Sequence, residues 1–188
     1  MHADEVLAVF RRSGALLEGH FRLSSGLHSP GYLQCALVLQ NPPSAEALGR
    51  ALAGKVRHLN VEAVLSPAMG GIIIGHEVAR ALGVRAIFAE RQEGTLTLRR
   101  GFALHPGERV LDVEDVLTTG LSTRETIAVA RAAGAQVVGA AAIINRSPEH
   151  GLDVPFAALA EYVLPTHQPD TCPMCAAGEP VVKPGSRA

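Results

Sequence analysis

Lysine is almost absent from this sequence: Lys55 and Lys183 stand against fifteen arginines in 188 residues. Genome composition or a hot habitat produces such a bias as readily as function does. Its consequence is chemical, because any anion the protein meets falls to arginine or to backbone N–H groups, and a planar guanidinium is not a neutral swap for an ammonium. An excess of either charge is lacking too. With a formal net charge of −1, nothing in the bulk balance argues for nucleic acid or an anionic membrane as partner, so an anion site must be local. No apolar run approaches the roughly 18 to 20 residues of a membrane span. Asp4 and Glu5 occupy the place where a signal peptide carries positive charge, and the expectation is a cytoplasmic protein. Three cysteines, an odd number with two close together near the end, do not make a disulfide scaffold.

What is present is enough for a core. Hydrophobic residues make up 47% of the chain and charged residues 19%, which fits one globular domain with apolar surface to spare for a subunit interface. Apolar spacing predicts a helix over 4–17 and then a strand-rich, irregular piece over 21–39. After Pro42 and Pro43, Ser44 is the expected cap of a helix running to about residue 59. Buried strands are expected over 62–67 and 84–90, with a helix over 70–82 between them, and 94–110 reads as a hairpin leading into the next strand. A helix over 122–133 closed by Gly134 and an almost wholly apolar strand over 136–146 complete the pattern. Such alternation predicts an α/β fold, a doubly wound parallel sheet flanked by helices. One domain is expected over 1–188: a small hood over 1–42, a core over 43–165 and an irregular tail rich in Cys, Pro and Gly over 166–188.

The stretch VLDVEDVLTTGLSTRETIAVARAAGA, from Val110 to Ala135, opens as a strand and ends as a helix, with Glu114 and Asp115 at the join. In doubly wound sheets, ligands bind beyond the carboxyl ends of the strands. Thr118, Thr119, Gly120, Leu121 and Ser122 follow, supplying small hydroxyls, a permissive glycine and the unpaired N–H groups of a helix start. That combination cradles a phosphate monoester. Two negative charges side by side would repel a phosphate and suit a polyol or a cation instead. A sugar phosphate meets both demands, with hydroxyls on the acids, phosphate in the loop and a divalent metal where more negative charge is held. The plainer reading is an acid-capped strand end before an ordinary helix start; it leaves the ordered run of strand, acid pair, Thr-Thr-Gly and helix unexplained.

VLDVEDVLTTGLS resembles the phosphoribosyl-pyrophosphate (PRPP) signature of the type I phosphoribosyltransferases. It departs from that pattern at Asp112, an acid where the family generally has an apolar residue, and this side chain is expected to face outward. FRLSSGLHSPGYLQ resembles the N-terminal hood of the orotate phosphoribosyltransferases, SPAMGG stands in the place of their pyrophosphate loop, and IINRS puts Arg146 at their orotate-contacting arginine. ERQEGTLTLRRGF and CPMCAAGEPVVKPGSR are similar to a bacterial and archaeal branch of that group. The resemblance covers nearly the whole chain.

It implies transfer of ribose 5-phosphate from PRPP to orotate, giving orotidine 5′-monophosphate and pyrophosphate in UMP biosynthesis, with Mg²⁺ held mainly by PRPP and not by a protein ligand. Catalytic roles are implied for Glu114 and Asp115, PRPP contacts for 114–122, including Val116 and Leu117, and for Arg91, and orotate contacts for Thr118 and Arg146. Ala68, Met69 and Gly70 form the implied pyrophosphate loop, while Arg99 and Arg100 belong to a mobile loop. In the family that loop usually carries lysines and comes from the other subunit, so a homodimer with shared active sites is implied. Here Arg91, Ser24 and Gly70 stand near usual lysine positions.

Each of these residues also has a blander reading. Arg91, Arg99 and Arg100 suit a solvated hairpin, His105 a turn beside Pro106, and Arg146 a surface strand end. Cys172 and Cys175 form a CxxC with His167 nearby, three zinc-ligand types within nine residues. A closed zinc site needs four ligands; two subunits each donating a pair would complete it, and an interface or packing role is the alternative. Redox chemistry is not expected, because no helix start follows the motif. Cys35 reads as a packing residue. Two functional alternatives remain: a sibling enzyme using a purine or another base, which would need neither Arg146 nor the hood, and a non-catalytic PRPP-binding regulator. Regulators of that kind show a basic face or an added DNA-binding domain, and this chain is short and near neutral.

Overall fold

Helix α1 (Ala3–Arg12) opens with Asp4 and Glu5 and closes with Arg11 and Arg12, each sign set against the pole of the helix dipole that it offsets. Val6 and Phe10, one turn apart, are its buried face. The helix stops five residues short of the expected end because Gly14 takes a φ of 67°, which turns the chain into a two-stranded antiparallel hairpin, β1 (Leu16–Arg22) and β2 (His28–Leu33). This is the hood. The computed structural model describes residues 1–23 and 25–184, so Ser24 and the last four residues of the tail lie outside the described residues.

A short helix α2 (Cys35–Leu39) leads to α3 (Pro42–Val56). Its cap is Asn41, not Ser44: the Asn41 Oδ1 accepts from the Ser44 backbone N–H at 3.1 Å. Pro42 and Pro43 fill the first two helical positions without an N–H to satisfy, so the third residue is the first that needs an acceptor. The helix ends at Val56 in a single 3₁₀ turn over Arg57–Leu59.

The core then alternates as expected: β3 (Ala63–Pro67), α4 (Gly70–Leu82), β4 (Arg85–Gln92), β5 (Thr95–Leu98), β6 (Arg109–Leu117), α5 (Leu121–Ala132), β7 (Gln136–Asn145) and β8 (Phe156–Glu161). The sheet order is β5-β4-β3-β6-β7-β8. Every pairing is parallel except that of β4 with β5. Residues 94–110 therefore do not form a hairpin into β6. Glu93 and Gly94, with φ of 51° and 86°, make a tight turn that folds β5 back onto β4, and the rest runs as loop. Strand β8 is a further difference, since FAALAE is too short and too rich in alanine to announce a strand. In the tail a four-residue helix, α6 (Pro173–Ala176), follows Cys172 directly, contrary to the expectation that no helix start would. Among the described residues no helix is long and apolar enough to cross a membrane.

Both faces of the sheet are covered. On one, Leu111 and Val113 pack with Val6, Leu48, Ile74 and Val78 from α1, α3 and α4. On the other, Val110 packs with Leu65, Ile87 and Ala130. A central strand so enclosed has no solvent side, and Asp112 does not face outward: it is 2% exposed, and neither carboxylate oxygen meets a hydrogen-bond partner among the described residues. An unpaired buried charge costs several kcal/mol, more than the roughly 1.5–3 kcal/mol that burying one leucine returns. Burial accordingly raises the Asp112 carboxyl well above the usual range, and the residue is held as the neutral acid.

Candidate active site

The strand order reverses between β3 and β6: β3 leads outward to β4, whereas β6 leads the other way to β7 and β8. At such a switch point the connecting helices leave on opposite faces and a crevice opens beyond the strand ends. A cavity of about 830 Å³ lies there. Its floor is Asp115, Val116, Thr118, Thr119 and Arg146; its roof brings Arg22, Leu27 and Tyr32 from the hood with Thr166 and Lys183 from the tail.

The two acids at the end of β6 are not equivalent. Pleating sends alternate side chains to opposite faces, and Asp115 points at the start of α4, where a Cβ added to Gly70 would stand 2.8 Å from its Oδ2. A side chain at that position would displace the carboxylate, so glycine is what lets Asp115 keep its place. The Val116 N–H donates to Asp115 Oδ1 at 2.7 Å, and the buried Cys35 shares the cavity lining with Asp115. Burial first, then the neighbouring Asp115, raises the Cys35 thiol well above its ordinary value, and the residue is buried in the core as expected. Glu114 is 9% exposed and accepts the Asp115 N–H at 3.1 Å. Burial first, then the neighbouring Asp115 and Asp112 carboxyls, push its carboxyl up to about 10. The expected pair of negative charges thus becomes one, and the conflict with a phosphate close by is eased.

Gly120 enters α5 with a φ of 72°, a conformation that costs other residues a steric penalty. The Arg124 guanidinium pins the loop, donating to the Thr119 carbonyl at 3.0 Å and to the His150 carbonyl at 3.0 Å. Thr118 and Thr119 are exposed to the cavity, Gly120 and Leu117 are buried, and Leu121 is 55% exposed. The first N–H groups of α5, from Leu121 and Ser122 onward, have no carbonyl of their own helix to bond, as at any helix start.

Arg146 follows β7 and is tied to the floor by its N–H, which donates to the Leu117 carbonyl at 2.9 Å. Its Nε is buried and has no hydrogen-bond partner among the described residues. Burial lowers its affinity for the proton, while the Tyr162 and Tyr32 hydroxyls act in the opposite sense. An unpaired buried donor is a standing demand for an acceptor. Ala68, Met69 and Gly70 form the turn from β3 into α4; the Ala68–Met69 peptide is cis, the Ala68 N–H donates to the Ala89 carbonyl at 2.7 Å, and Met69 is 83% exposed.

Arg91, Arg99 and Arg100 do not join this group. Arg91 pairs with Glu125 of α5 at 2.5 Å, and Arg99 and Arg100 pair with Glu90 at 3.4 and 2.9 Å, all outside the cavity lining. The His105 N–H donates to Glu108 in a turn. The residue that motif reading missed is Lys183. The tail runs beside β1, where the Arg22 N–H donates to the Val182 carbonyl at 2.8 Å and the Val182 N–H to the His20 carbonyl at 2.9 Å, and this places Lys183 at the cavity. Its only signal in the sequence was rarity.

Residues 36–154 match the phosphoribosyl transferase domain family. The chain is 52% identical over 188 residues to the orotate phosphoribosyltransferase of Pelotomaculum thermopropionicum, covering 100% of this chain and 99% of that protein. It is 56% identical over 193 residues to that of Novosphingobium aromaticivorans, again with 100% and 99% covered. Among solved structures, orotate phosphoribosyltransferase from Aeropyrum pernix superposes with a TM-score of 0.68 at 27% identity, over 83% of this chain and 93% of that one. Leishmania donovani UMP synthase shares the fold, with a TM-score of 0.73 at 22% identity over 84% of this chain and 36% of that one. The switch-point cavity with Asp115, Thr118 and Thr119 on its floor, and full-length likeness at about half identity, agree: the chain belongs to the phosphoribosyl transferase family, within its orotate phosphoribosyltransferases.

Proposed function

We propose that this cavity transfers the phosphoribosyl group of PRPP to N1 of orotate, forming orotidine 5′-monophosphate and releasing pyrophosphate. The ribose C1–O bond breaks with its electron pair leaving on the diphosphate, and orotate N1 supplies the pair for the new C1–N bond. Positive charge develops on the ribose ring in between, and catalysis consists of stabilising it while excluding water. In this reading Asp115, with Glu114 beside it, holds the ribose hydroxyls and favours the cationic ring. Thr118 to Ser122 and the first N–H groups of α5 take the 5-phosphate. The turn at Ala68, Met69 and Gly70 meets the diphosphate, and Lys183 supplies a positive charge from the roof. Arg91, Arg99 and Arg100 lie outside their own chain's cavity, which is compatible with a homodimer in which the β4–β5 segment serves the partner's site; sedimentation and mixing of Asp115 and Arg100 variants test that.

The observation that carries the choice of base is the buried, partnerless Nε of Arg146 at the cavity wall. Orotate brings a carboxylate and ring carbonyls that a guanidinium can bond in pairs, whereas a purine brings no carboxylate. Asp115 is the one carboxylate among the described cavity-lining residues, too few oxygens for the octahedral shell of Mg²⁺, so the donor set fits that ion only as a companion of the diphosphate. Bound there, it would offset the charge of the leaving group. A pyrophosphate-release assay with orotate, uracil, adenine and hypoxanthine, with and without Mg²⁺, tests the reading: orotate alone should be consumed. Turnover of a purine would move the assignment to a sibling enzyme, and PRPP binding without turnover of any base would indicate a regulator.

A further inference from the structure

Where the tail meets the hood, the fold assembles four side chains that no step of phosphoribosyl transfer uses. His20 of β1 and His28 of β2 face each other across the hairpin, Nε2 to Nδ1 at 2.8 Å. Cys172 and Cys175 arrive from the tail. Cys172 Sγ is 3.6 Å from His20 Nε2, and Cys175 Sγ is 3.7 Å from His20 Nε2 and 3.3 Å from His28 Nδ1. All four ligand atoms lie within 4.8 Å of one another, and three of the four residues are buried.

We propose that His20, His28, Cys172 and Cys175 hold one structural zinc ion that clamps the tail onto the hood. The donor set is two imidazole nitrogens and two thiols, which is soft and suits zinc over Mg²⁺ or Ca²⁺. The spacing fits as well: Zn–N near 2.0 Å and Zn–S near 2.3 Å put tetrahedral edges at roughly 3.3 to 3.8 Å, and the three nitrogen–sulfur distances fall in that range. The two nitrogens sit closer because they share the His28 proton in a hydrogen bond; when that proton moves to His28 Nε2 and zinc takes its place, they separate by about 0.5 Å.

The surroundings prepare one nitrogen in advance. His20 Nδ1 bonds the Glu179 carbonyl at 2.9 Å, and a carbonyl only accepts, so Nδ1 carries the hydrogen and Nε2 turns its lone pair to the centre of the cluster. A backbone carbonyl behind the ring is the usual means of orienting a zinc histidine. The two thiols release their protons to solvent on binding, leaving an electrically neutral site. The sequence pairing of Cys172 and Cys175 with His167 is not the one the fold makes: His167 uses its backbone, exchanging N–H and carbonyl bonds of 2.9 Å with His28. Nor does the site need a second subunit, because the hood of the same chain supplies the remaining pair.

A need for the ion is visible in the packing. Over residues 162–184, Cys172 alone is buried, so the tail has almost no apolar area with which to hold itself down. It carries Thr166 and Lys183 to the cavity from either side of the CxxC. Metal binding supplies the docking energy that hydrophobic burial does not.

The test uses the untagged full chain purified without chelator. Elemental analysis should find about one zinc per chain in the wild type and below about a tenth in Cys172→Ser/Cys175→Ser. Cobalt(II) added to chelator-stripped wild-type protein should give the thiolate charge-transfer and tetrahedral ligand-field bands of an S₂N₂ site. His28→Cys, which keeps four ligands, should retain zinc while His28→Ala loses it, and Lys183→Ala should leave the metal content untouched. Stripping the zinc should speed proteolysis within 165–184 while α1 and the sheet stay resistant. Wild-type protein from zinc-supplemented medium that carries no stoichiometric zinc and gives no thiolate bands with cobalt, or that shows a Cys172–Cys175 disulfide by mass spectrometry, overturns the proposal.

Discussion

The floor of the cavity and its roof are built by different means. The floor comes from the ends of buried parallel strands and one helix start, its acids and its Thr-Thr-Gly loop adjacent in sequence and backed by residues that see no solvent. The roof joins the first and last parts of the chain: Cys172 and His20, 152 positions apart, are in contact there, and Cys172 is the one fully buried residue over 162–184. Chemistry that demands fixed geometry therefore sits on the rigid part. The cover is held by a few backbone bonds and the proposed ion, and such sparsely packed segments open at low free-energy cost.

Substitutions can break or sharpen that contrast. The largest effect is expected at the floor: Asp115→Asn should lower kcat about a hundredfold with KM values little changed, the size of loss seen when a preorganised charge is removed from a developing cation. Unchanged kcat in steady-state assays would remove Asp115 from the mechanism. Next comes Arg146→Ala, which should raise KM for orotate about thirtyfold, equivalent to a lost charge-assisted bond of about 2 kcal/mol, and KM for PRPP much less. In the roof, Lys183→Ala should raise KM for PRPP only about fivefold, because solvent screens the attraction of an exposed side chain; a loss larger than that at Asp115 would invert the comparison.

The smallest effect is one of pH. Asp112 and Glu114 keep their protons in the fold above the pH at which the unfolded chain, at ordinary values of 3.8 and 4.5, gives them up. The native state then binds more protons than the unfolded one, so stability is full below about pH 4 and declines as pH rises toward 10, where the Glu114 carboxyl finally ionises. Asp112→Asn should flatten that decline, leaving a melting temperature above wild type at pH 9 and close to it at about pH 4. Equal slopes for the two proteins in thermal unfolding would show that Asp112 is solvated after all.

Legibility followed the range of the interactions. The helix over Gly70–Leu82 and the strand at Gln136–Asn145 could be read from apolar spacing and from Gly83 and Gly134 as terminators, because those signals are local. The helix cap at Asn41, the fold-back of Thr95–Leu98 onto β4 and the strand at Phe156–Glu161 could not, since each depends on which neighbour the chain finds. The expectation of an outward Asp112 follows from its being an acid within a strand. It failed because only the three-dimensional order of the sheet puts β6 in the middle, covered on both sides.

By itself, the order of residues from Val110 to Ala135 determined a strand, an acid pair and an anion-cradling helix start, for these need nothing beyond backbone geometry and neighbours along the chain. Tertiary structure alone decided that Glu114 is neutral beside Asp115, that Arg146 keeps an unpaired donor at the cavity, and that two histidines and two cysteines from opposite ends of the chain converge. Desolvation and convergence are properties of what surrounds a side chain, and those surroundings exist only once distant segments have packed.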